Sequence, residues 1–343
     1  MARIGMNPAR HRKTDYQPAD VTVAVLVYIP HLSGYWEHRF DVLKLCFSTL
    51  LQHTQIPYDL LVFDNACCDE VKKYLSELQD VGAVRYVLTS SENIGKLGAL
   101  RLISGAIPGK VLAYTDDDTF FYPGWLSAHL DILGSFPNVG MVSGSPERTL
   151  FDHGIQSNLR FAEEMLEVQL SYGKTIPEVW EREWATSLGK DVPAFLDEVE
   201  KLEDIILEWN GKKAYATACH NQFIMPKEVA VRFLQGEWTG RLMGGMNELD
   251  NAVDEAGYLR LTTMDRTTRL IGNLVSPALA EEARKYSVEI DSYSSFTKAG
   301  ERSIFLRWKP LRWVLQGLYN RLFRLLAQQS GDWYSTEDEG LND

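Results

Sequence analysis

Three consecutive aspartates, Asp116, Asp117 and Asp118, form the densest group of potential ligand side chains in the sequence. They follow an apolar, strand-like run at 111–114, and strands of open α/β sheets end at the clefts that bind ligands. Adjacent carboxylates repel one another, so a cation among them stabilises the ionised triplet. Carboxylate oxygens suit Mg²⁺ or Mn²⁺, which commonly also bind phosphates. The triplet therefore predicts a site for a divalent ion and a phosphate-bearing ligand, with a solvated acidic turn as the alternative.

Alternating strand and helix patterns surround the triplet. Nearly continuous apolar runs, typical of buried parallel strands, occur at 21–28, 58–65 and 111–114, and a short strand is predicted at 84–87. Helical spacing of apolar residues occurs at 40–53 and 69–79, and a further helix begins within 92–101. Strands and helices alternating at these distances predict βαβ units, and therefore an α/β fold with a mostly parallel sheet flanked by helices.

Several short motifs follow one another in a fixed order. They are Asp64-Asn65, Asn93-Ile94-Gly95, the aspartate triplet, Pro123-Gly124-Trp125-Leu126, Pro137-Asn138-Val139-Gly140, the run 218–225, and the acidic segment 244–250 with Ala256-Gly257-Tyr258. In order and spacing, this series resembles the family 2 glycosyltransferases of the GT-A fold, over about residues 20–150 and 214–265. The resemblance implies a Rossmann-like enzyme that uses a nucleotide-sugar donor, inverts the anomeric centre and is assisted by Mg²⁺ or Mn²⁺.

On the donor side, the resemblance implies that Asp118 is a direct metal ligand. It implies that Asp116 binds the metal or the ribose, and Asp117 is expected to face either the metal or the nucleotide. Tyr28 and Pro30, just after the first strand, fall where the family packs the nucleoside, and we expect backbone contacts there.

Two further segments are expected at the nucleotide sugar. The resemblance implies that Asp64 is a carboxylate that accepts from the nucleotide base, and an Asp-Asn turn after a strand is the structural alternative. Asn93 and Gly95 precede a helix whose amino terminus favours anions, and glycine allows close approach of the backbone. Lys96 and Arg101 would then contact the diphosphate; surface cations on an amphipathic helix are the alternative.

The base that removes the acceptor proton must be a group within reach of the acceptor hydroxyl. The resemblance implies a carboxylate, and Asp250 and Glu248 are the candidates. They would share a face on an extended segment and diverge on a helix. The acidic motif lies closer to Gly257 than in the family, so both remain candidates, with Asp250 preferred because it stands at the start of the helix leading to Gly257. Asp254 is explained by a solvated helix face.

His220 and Trp125 are expected on the acceptor side. For His220, a buried and hydrogen-bonded histidine is the structural alternative. The predicted function is transfer of a sugar, of the hexosyl type, to an acceptor hydroxyl, as in the synthesis of polysaccharides, glycolipids or cell-envelope glycans. A sugar-nucleotide nucleotidyltransferase and an inactive sugar-nucleotide-binding protein are the alternatives. The first is disfavoured because 28–31 lacks a glycine-rich basic loop, and the second because the acids are present.

Composition narrows the class of protein. The chain of 343 residues is 45% hydrophobic and 24% charged, which is typical of a globular protein with a full core. A formal net charge of −12 argues against nucleic acid as a partner. The four cysteines form no CxxC spacing, which favours reduced thiols in a cytoplasmic protein, and the amino end shows no signal peptide.

The patterns divide the chain into five regions. They are a polar tail at 1–19, a nucleotide-sugar-binding half at 20–150, an acidic helical insertion at 151–213, an acceptor-side half at 214–275, and a carboxyl-terminal region at 276–343 that comprises an amphipathic helix and an acidic tail. Within the insertion, helices are predicted at about 159–172, 176–188 and 192–209. A wall for the acceptor is one role for this insertion, and a solvated helical cap is the simpler one.

The carboxyl-terminal stretch 305–326 has the pattern of an interfacial helix. Leucines recur on one face and arginines on the other, and residues 302–329 contain six basic residues and no acidic one. A basic amphipathic helix with aromatic residues is typical of a membrane-surface anchor. It predicts a peripheral protein on the inner face of the cell membrane with a lipid-linked acceptor; docking on the catalytic domain or a second subunit is the alternative.

Overall fold

The structure is a computed structural model that describes residues 6, 7, 9–235 and 240–288. Its strands are β1 (Val21–Val27), β2 (Tyr58–Asn65), β3 (Tyr86–Ser90), β4 (Val111–Asp116), β5 (Thr119–Phe121), β6 (Val139–Ser143), β7 (Gln169–Gly173), β8 (Asp204–Trp209), β9 (Lys212–Tyr215), β10 (Gln222–Pro226), β11 (Leu259–Thr263) and β12 (Thr268–Leu270). Its α-helices are α1 (Arg39–His53), α2 (Asp69–Asp80), α3 (Gly95–Ala106), α4 (Trp125–Ser135), α5 (Gln156–Glu164), α6 (Glu178–Ser187), α7 (Val192–Val199), α8 (Lys227–Leu234), α9 (Met246–Glu255) and α10 (Pro277–Lys285).

A ten-stranded sheet in the order β3-β2-β1-β4-β10-β6-β11-β9-β8-β7 organises these elements. Strands β3, β2, β1 and β4 are parallel neighbours, and β6 pairs in parallel with β11. Strands β10, β9 and β7 run against their neighbours. The sheet is therefore mixed, with most strands in one direction, as the sequence predicts. A separate pair, β5 and β12, lies beyond the end of β4.

Strand β1 is buried on both faces, which explains its nearly continuous apolar sequence. Val23 and Val25 pack in one core cluster with Leu43 and Phe47 of α1. Ala24 and Leu26 pack in the other cluster, against α3, α8 and α9. The strand period of two thus places alternate side chains in two cores. The register of β1 also aligns the ends of its neighbours, because Val27 pairs with Asp64 and Leu26 with Asp116.

The region predicted to be a helical insertion is helical only in part. It contains α5, α6 and α7, but residues 169–173 and 204–209 form β7 and β8 rather than the ends of helices. Strand β8 pairs with β9 and β7, and this pairing buries Ile206 and Leu207. Edge pairing with the main sheet therefore overrides the helical spacing of the apolar residues, as tertiary context commonly does.

The two ends of the described chain pack onto this body. Tyr16 donates a hydrogen bond to Asp59 over 2.6 Å, so the tail predicted at 1–19 is attached to β2 before β1 begins. Helix α10 is attached through Glu282, which accepts a hydrogen bond from Tyr122 over 2.7 Å. The amphipathic stretch 305–326 lies outside the described residues. Among those that are described, no helix has the length and apolar character needed to cross a membrane.

Candidate active site

The aspartate triplet lies at the edge where β1, β2 and β4 end, and each of its members has a cationic partner. Asp116 closes β4 and contacts Lys96 Nζ through Oδ2 at 2.7 Å. Its Oδ1 accepts a hydrogen bond from the Tyr114 hydroxyl over 2.5 Å. Two side chains therefore hold Asp116. One of them is Lys96, which lies at the start of α3 and reaches the triplet.

Arg39, at the start of α1, clamps the other two members of the triplet. Its Nη2 donates to Asp117 and its Nη1 donates to Asp118 over 2.8 Å. Burial raises the pKa of Asp117 to about 7 against the opposing effect of Arg39, and burial also raises the pKa of Asp118. Burial by itself lowers the pKa of Arg39, but the two carboxylates outweigh it and raise that pKa. Two cations thus face three acids, which leaves room for a further positive charge.

Sequence reasoning missed Arg39 although a signal was present. Arg39 is a basic residue at the beginning of a helix whose other inward positions are mostly apolar, and it is buried. A buried guanidinium needs an anionic partner, because an unpaired buried charge is costly. In this sequence the aspartate triplet could have been identified as the anionic partner of Arg39.

The donor atoms of the triplet fit a divalent ion that is bound together with a phosphate ligand. Within the described residues, Asp118 Oδ1 has no hydrogen-bond partner, whereas Oδ2 is taken by Arg39. No group of three or more His, Cys, Asp or Glu residues is placed to hold a metal in the part of the chain that is described. Mg²⁺ is often bound by only one or two carboxylates plus substrate phosphates, so this arrangement agrees with a metal that arrives with its ligand.

The segment before α3 is locked by two asparagines. Asn65, at the end of β2, donates through its amide nitrogen to Asn93 Oδ1 over 2.9 Å and accepts from the Ile94 backbone N–H over 2.9 Å. Gly95 follows with a φ of +72°, and a Cβ atom there would lie 2.2 Å from the Arg241 carbonyl oxygen. Glycine is required at this position because the 240–245 segment passes directly over it.

The predicted anion site at the start of α3 is partly used by the protein itself. The Gly95 N–H donates to Asn93 Oδ1, and the Lys96 N–H donates to the Leu242 carbonyl over 3.3 Å. Arg101 lies five positions beyond Lys96 on the same helix, and the side chains described in contact with it, Gln235 and Ser104, donate to its backbone carbonyl. The structure thus brings Lys96 to the triplet and does not bring Arg101 there.

The residues predicted near the nucleoside border the same edge. Asp64 is buried and its Oδ1 accepts from the Cys67 N–H over 2.8 Å, which is the turn interaction offered as the alternative to base recognition. The Tyr28 N–H donates to Asp117 Oδ2 over 3.3 Å, so this residue uses its backbone as expected. Pro30 follows, partly exposed. Contacts of these residues with a nucleotide remain predictions.

Glu248 and Asp250 diverge because both lie in α9. Glu248 is exposed, with 70% of its side chain accessible, and pairs with Arg241 at 3.1 Å. The Asp250 side chain is fully buried, so it does not border a cleft as a base in contact with an acceptor would. This segment is therefore helical and not extended, and the two acids do not share a face.

Asp250 is the centre of a buried polar cluster with three partners. Arg260 Nη2 lies 2.8 Å from Oδ1, His220 Nδ1 lies 2.8 Å from Oδ2, and His153 Nε2 lies 3.4 Å from the same Oδ2. Burial acts to raise the pKa of Asp250, but Arg260 and the two histidines outweigh it and hold that pKa well below its usual range. Asp250 is consequently an ionised anchor for the groups around it.

Arg260 occupies β11 and is itself fully buried. It donates to the carbonyls of Gly154 over 2.9 Å and Ala218 over 2.7 Å. Gly154 has a φ of +61°, and a Cβ atom there would lie 2.1 Å from Arg260 Nη1, so the approach needs glycine. Sequence reasoning missed Arg260 and His153. An arginine inside the otherwise uncharged strand 259–263 was the available signal, because it required a buried acid nearby.

Two expectations about acceptor-side residues are corrected. Trp125 is 1% exposed and donates to the Thr54 hydroxyl over 2.9 Å, so it belongs to the core and not to the acceptor side. Asp254 does not lie on a solvated helix face. It is buried, and its Oδ1 accepts from both the backbone and the hydroxyl of Ser157 over 2.7 Å, which caps α5. His220 is partly exposed at the rim of the Asp250 cluster.

A comparison with known protein families finds a match for the part of the chain that carries the aspartate triplet. Residues 35–178 match the sequence model of glycosyl transferase family 2. This match covers less than half of the chain. The matched residues include Arg39, Asp64, Lys96 and the aspartate triplet. Together with the sheet described above, the match confirms the predicted α/β fold of the GT-A class. The Asp250 cluster lies outside the family 2 match apart from His153.

Solved glycosyltransferases resemble the chain at low identity. A mannosyltransferase of Pyrobaculum calidifontis, PcManGT, solved with GDP-Man and Mn²⁺, is 21% identical over 41% of each chain, with a TM-score of 0.30. Residues 1–349 of S. aureus TarS are 10% identical over 74% of this chain and 60% of that one, with a TM-score of 0.42. GalNAc-T7, solved with UDP, GalNAc and Mn²⁺, is 13% identical over 81% and 49%, with a TM-score of 0.44.

The chain thus spans less than two thirds of the length of each of these proteins. No curated protein matches it in sequence.

Proposed function

We propose that this chain transfers a sugar from a nucleotide-diphosphate sugar to an acceptor hydroxyl. The observation that supports this function is the meeting of the aspartate triplet with Lys96 and Arg39 at the end of β4, within the family 2 region. Departure of a nucleoside diphosphate builds negative charge on its phosphates, and cations placed beforehand at that position stabilise it. No covalent nucleophile is required, and transfer proceeds in one displacement with inversion at the anomeric carbon.

Mg²⁺ or Mn²⁺ completes the donor site in this proposal. Asp118 would hold it, with Asp116 beside it, and the bound ion would act as a Lewis acid toward the diphosphate. Lys96 remains next to Asp116 and supplies a second positive charge to the phosphates. Arg39 keeps Asp117 and Asp118 in place before the donor binds, so that their mutual repulsion does not displace them.

The test is a thermal-shift panel of UDP, GDP, dTDP and CMP, each with and without Mn²⁺. One nucleotide should stabilise the protein only when Mn²⁺ is present, by about 2.7 kcal/mol at a concentration of 100 times its dissociation constant. Asp118→Asn should abolish the Mn²⁺-dependent part. Asp131→Asn, which alters an exposed ion pair with Lys212, is the matched control and should leave it unchanged. An Asp118→Asn protein with full Mn²⁺-dependent stabilisation would contradict the metal assignment.

Turnover separates transfer from the alternative functions. In the presence of Mn²⁺, a transferase slowly hydrolyses its donor sugar even without an acceptor. A nucleotidyltransferase would instead release pyrophosphate from a nucleoside triphosphate and a sugar phosphate. An inactive binding protein would bind a nucleotide sugar and leave it intact. Release of pyrophosphate without donor hydrolysis would replace the proposed function by the first of these alternatives.

A further inference from the structure

The backbone of His220 is joined to the aspartate triplet. The Asn221 carbonyl accepts from the Asp116 N–H over 2.9 Å, and the His220 carbonyl lies 3.4 Å from Lys96 Nζ. Lys96 in turn contacts Asp116. Residue 220 is therefore placed at the same sheet edge as the proposed donor phosphates.

The imidazole of His220 spans the boundary between the buried cluster and the surface. Its side chain is 23% exposed, whereas Asp250 is fully buried. Nδ1 lies 2.8 Å from Asp250 Oδ2, and because an ionised carboxylate only accepts, this nitrogen must carry a proton. In neutral imidazole the other nitrogen is then an acceptor. Within the described residues, His220 Nε2 has no hydrogen-bond partner, so it is available to a ligand.

The carboxylate that orients His220 is itself fixed. Arg260, fully buried, holds Asp250 from the opposite side, and two backbone carbonyls hold Arg260. His153 contacts the same Asp250 oxygen at 3.4 Å through its Nε2, which leaves His153 less closely held than His220. A buried carboxylate that accepts from Nδ1–H fixes both the orientation and the tautomer of an imidazole, as in serine-protease triads.

We propose that His220 is the base that receives the proton of the acceptor hydroxyl, and that Asp250 is its positioning residue. This inference rests on the proposed function. The O–H bond of the acceptor breaks and its proton passes to His220 Nε2, while the oxygen forms a bond to the anomeric carbon. The bond from that carbon to the diphosphate breaks, and its electron pair leaves on the nucleoside diphosphate. Asp250 stabilises the imidazolium, which then returns the proton to water.

The main test replaces the imidazole and keeps its contact with Asp250. In His220→Asn, the amide nitrogen can still donate to Asp250 Oδ2, but no basic nitrogen remains. With water as acceptor and UDP-glucose, UDP-N-acetylglucosamine and GDP-mannose as donor probes, the hydrolysis rate at saturating donor should fall about 100-fold or more. The dissociation constant of the donor should change less than about twofold, because the lost group acts only in the chemical step.

Two control variants distinguish this role from its competitors. Asp131→Asn changes an exposed acid that pairs with Lys212, and Glu248→Gln changes the exposed acid of α9; each should keep the hydrolysis rate within about threefold of the unaltered protein. Asp250→Asn should lower the rate at unchanged donor affinity. Unaltered turnover by His220→Asn overturns the proposal, and loss of turnover in Glu248→Gln alone assigns the base to Glu248.

A measurement without substrate tests the same arrangement. Two-bond ¹⁵N–¹H correlation spectra of the full chain, with the His220 signals identified by their loss in His220→Asn, report which ring nitrogen carries the proton. We expect neutral His220 to be protonated at Nδ1; protonation at Nε2 overturns the proposal. If no donor is bound or hydrolysed by the unaltered protein, the proposed function fails, while this spectrum still decides whether His220 is oriented as described.

Discussion

At the scale of single residues, the charge partners of the acids distinguish this site from an acidic turn. Asp116 pairs with Lys96, and Asp117 and Asp118 share Arg39. Three ionised carboxylates in sequence are costly in a buried position unless cations are near them. Lys96 and Arg39 therefore stabilise the three carboxylates at the end of β4 before a ligand binds.

Removal of Arg39 should reveal what this clamp contributes. In Arg39→Met, Asp117 becomes an unpaired buried carboxylate, and breaking a buried ion pair typically costs about 3 kcal/mol or more. Because burial already raises the pKa of Asp117 to about 7, the unpaired group takes up a proton at pH 6, and the loss should be smaller there than at pH 8. Urea denaturation at both pH values measures this difference.

The control for this prediction is a double variant. Arg39→Met with Asp117→Asn removes both charges, so it should be less destabilised at pH 8 than Arg39→Met alone. Equal destabilisation of the single variant at pH 6 and pH 8 would show that packing and not charge explains the loss.

At the scale of elements, a second buried polar network joins the segment before α5 to α6 and β8. Arg148 donates to Asp204 of β8 over 2.7 Å and lies 3.5 Å from Glu181 of α6. Glu147 and Glu181 each keep one buried oxygen without a hydrogen-bond partner among the described residues. Burial, followed by the charge of Glu147, raises the pKa of Glu181 to about 8, and burial raises the pKa of Glu147 to about 7. Glu181 therefore holds a proton at neutral pH that it would release on unfolding.

This network should make stability fall as pH rises. Between a pKa of about 4.5 in the unfolded chain and about 8 in the folded one, the native state binds the extra proton of Glu181. The free energy of unfolding therefore decreases with pH across this window. Glu181→Gln removes the titrating group, and denaturation at pH 5.5, 6.5 and 7.5 should give a flatter dependence than in the unaltered protein. Glu248→Gln, at an exposed acid, should not change the slope.

At the scale of the whole molecule, the prediction for 305–326 concerns membrane attachment. The basic amphipathic pattern predicts binding to anionic surfaces through charge and apolar contact, which weakens at high salt. Sedimentation with anionic and neutral liposomes should show that the full chain binds anionic vesicles and that a chain ending at Glu301 does not. Equal melting temperatures of the two proteins would serve as the control for folding. Equal sedimentation of both would contradict the prediction.

The order of elements and the positions of the acids followed from the sequence by itself. The strand Tyr58–Asn65 and the helix beginning at Gly95 are where local patterns predict them, because apolar periodicity and turn residues act over a few positions. The local pattern also indicated that acids lie where strands end. It wrongly predicted a helix at 204–209, because this segment pairs with β7 and β9 and therefore forms strand β8.

The partners of these acids depend on contacts between distant segments of the fold. Arg39 lies 79 positions from Asp118, and His220 lies 30 positions from Asp250, so neither pairing is visible in a local pattern. The burial of Asp250 in α9 likewise depends on Arg260, which strand β11 supplies. Charges in a folded interior are placed by the register of strands and the packing of helices across the sheet. For that reason the sequence identified the acids, whereas the fold determined which of them faces a ligand and which one orients a neighbour.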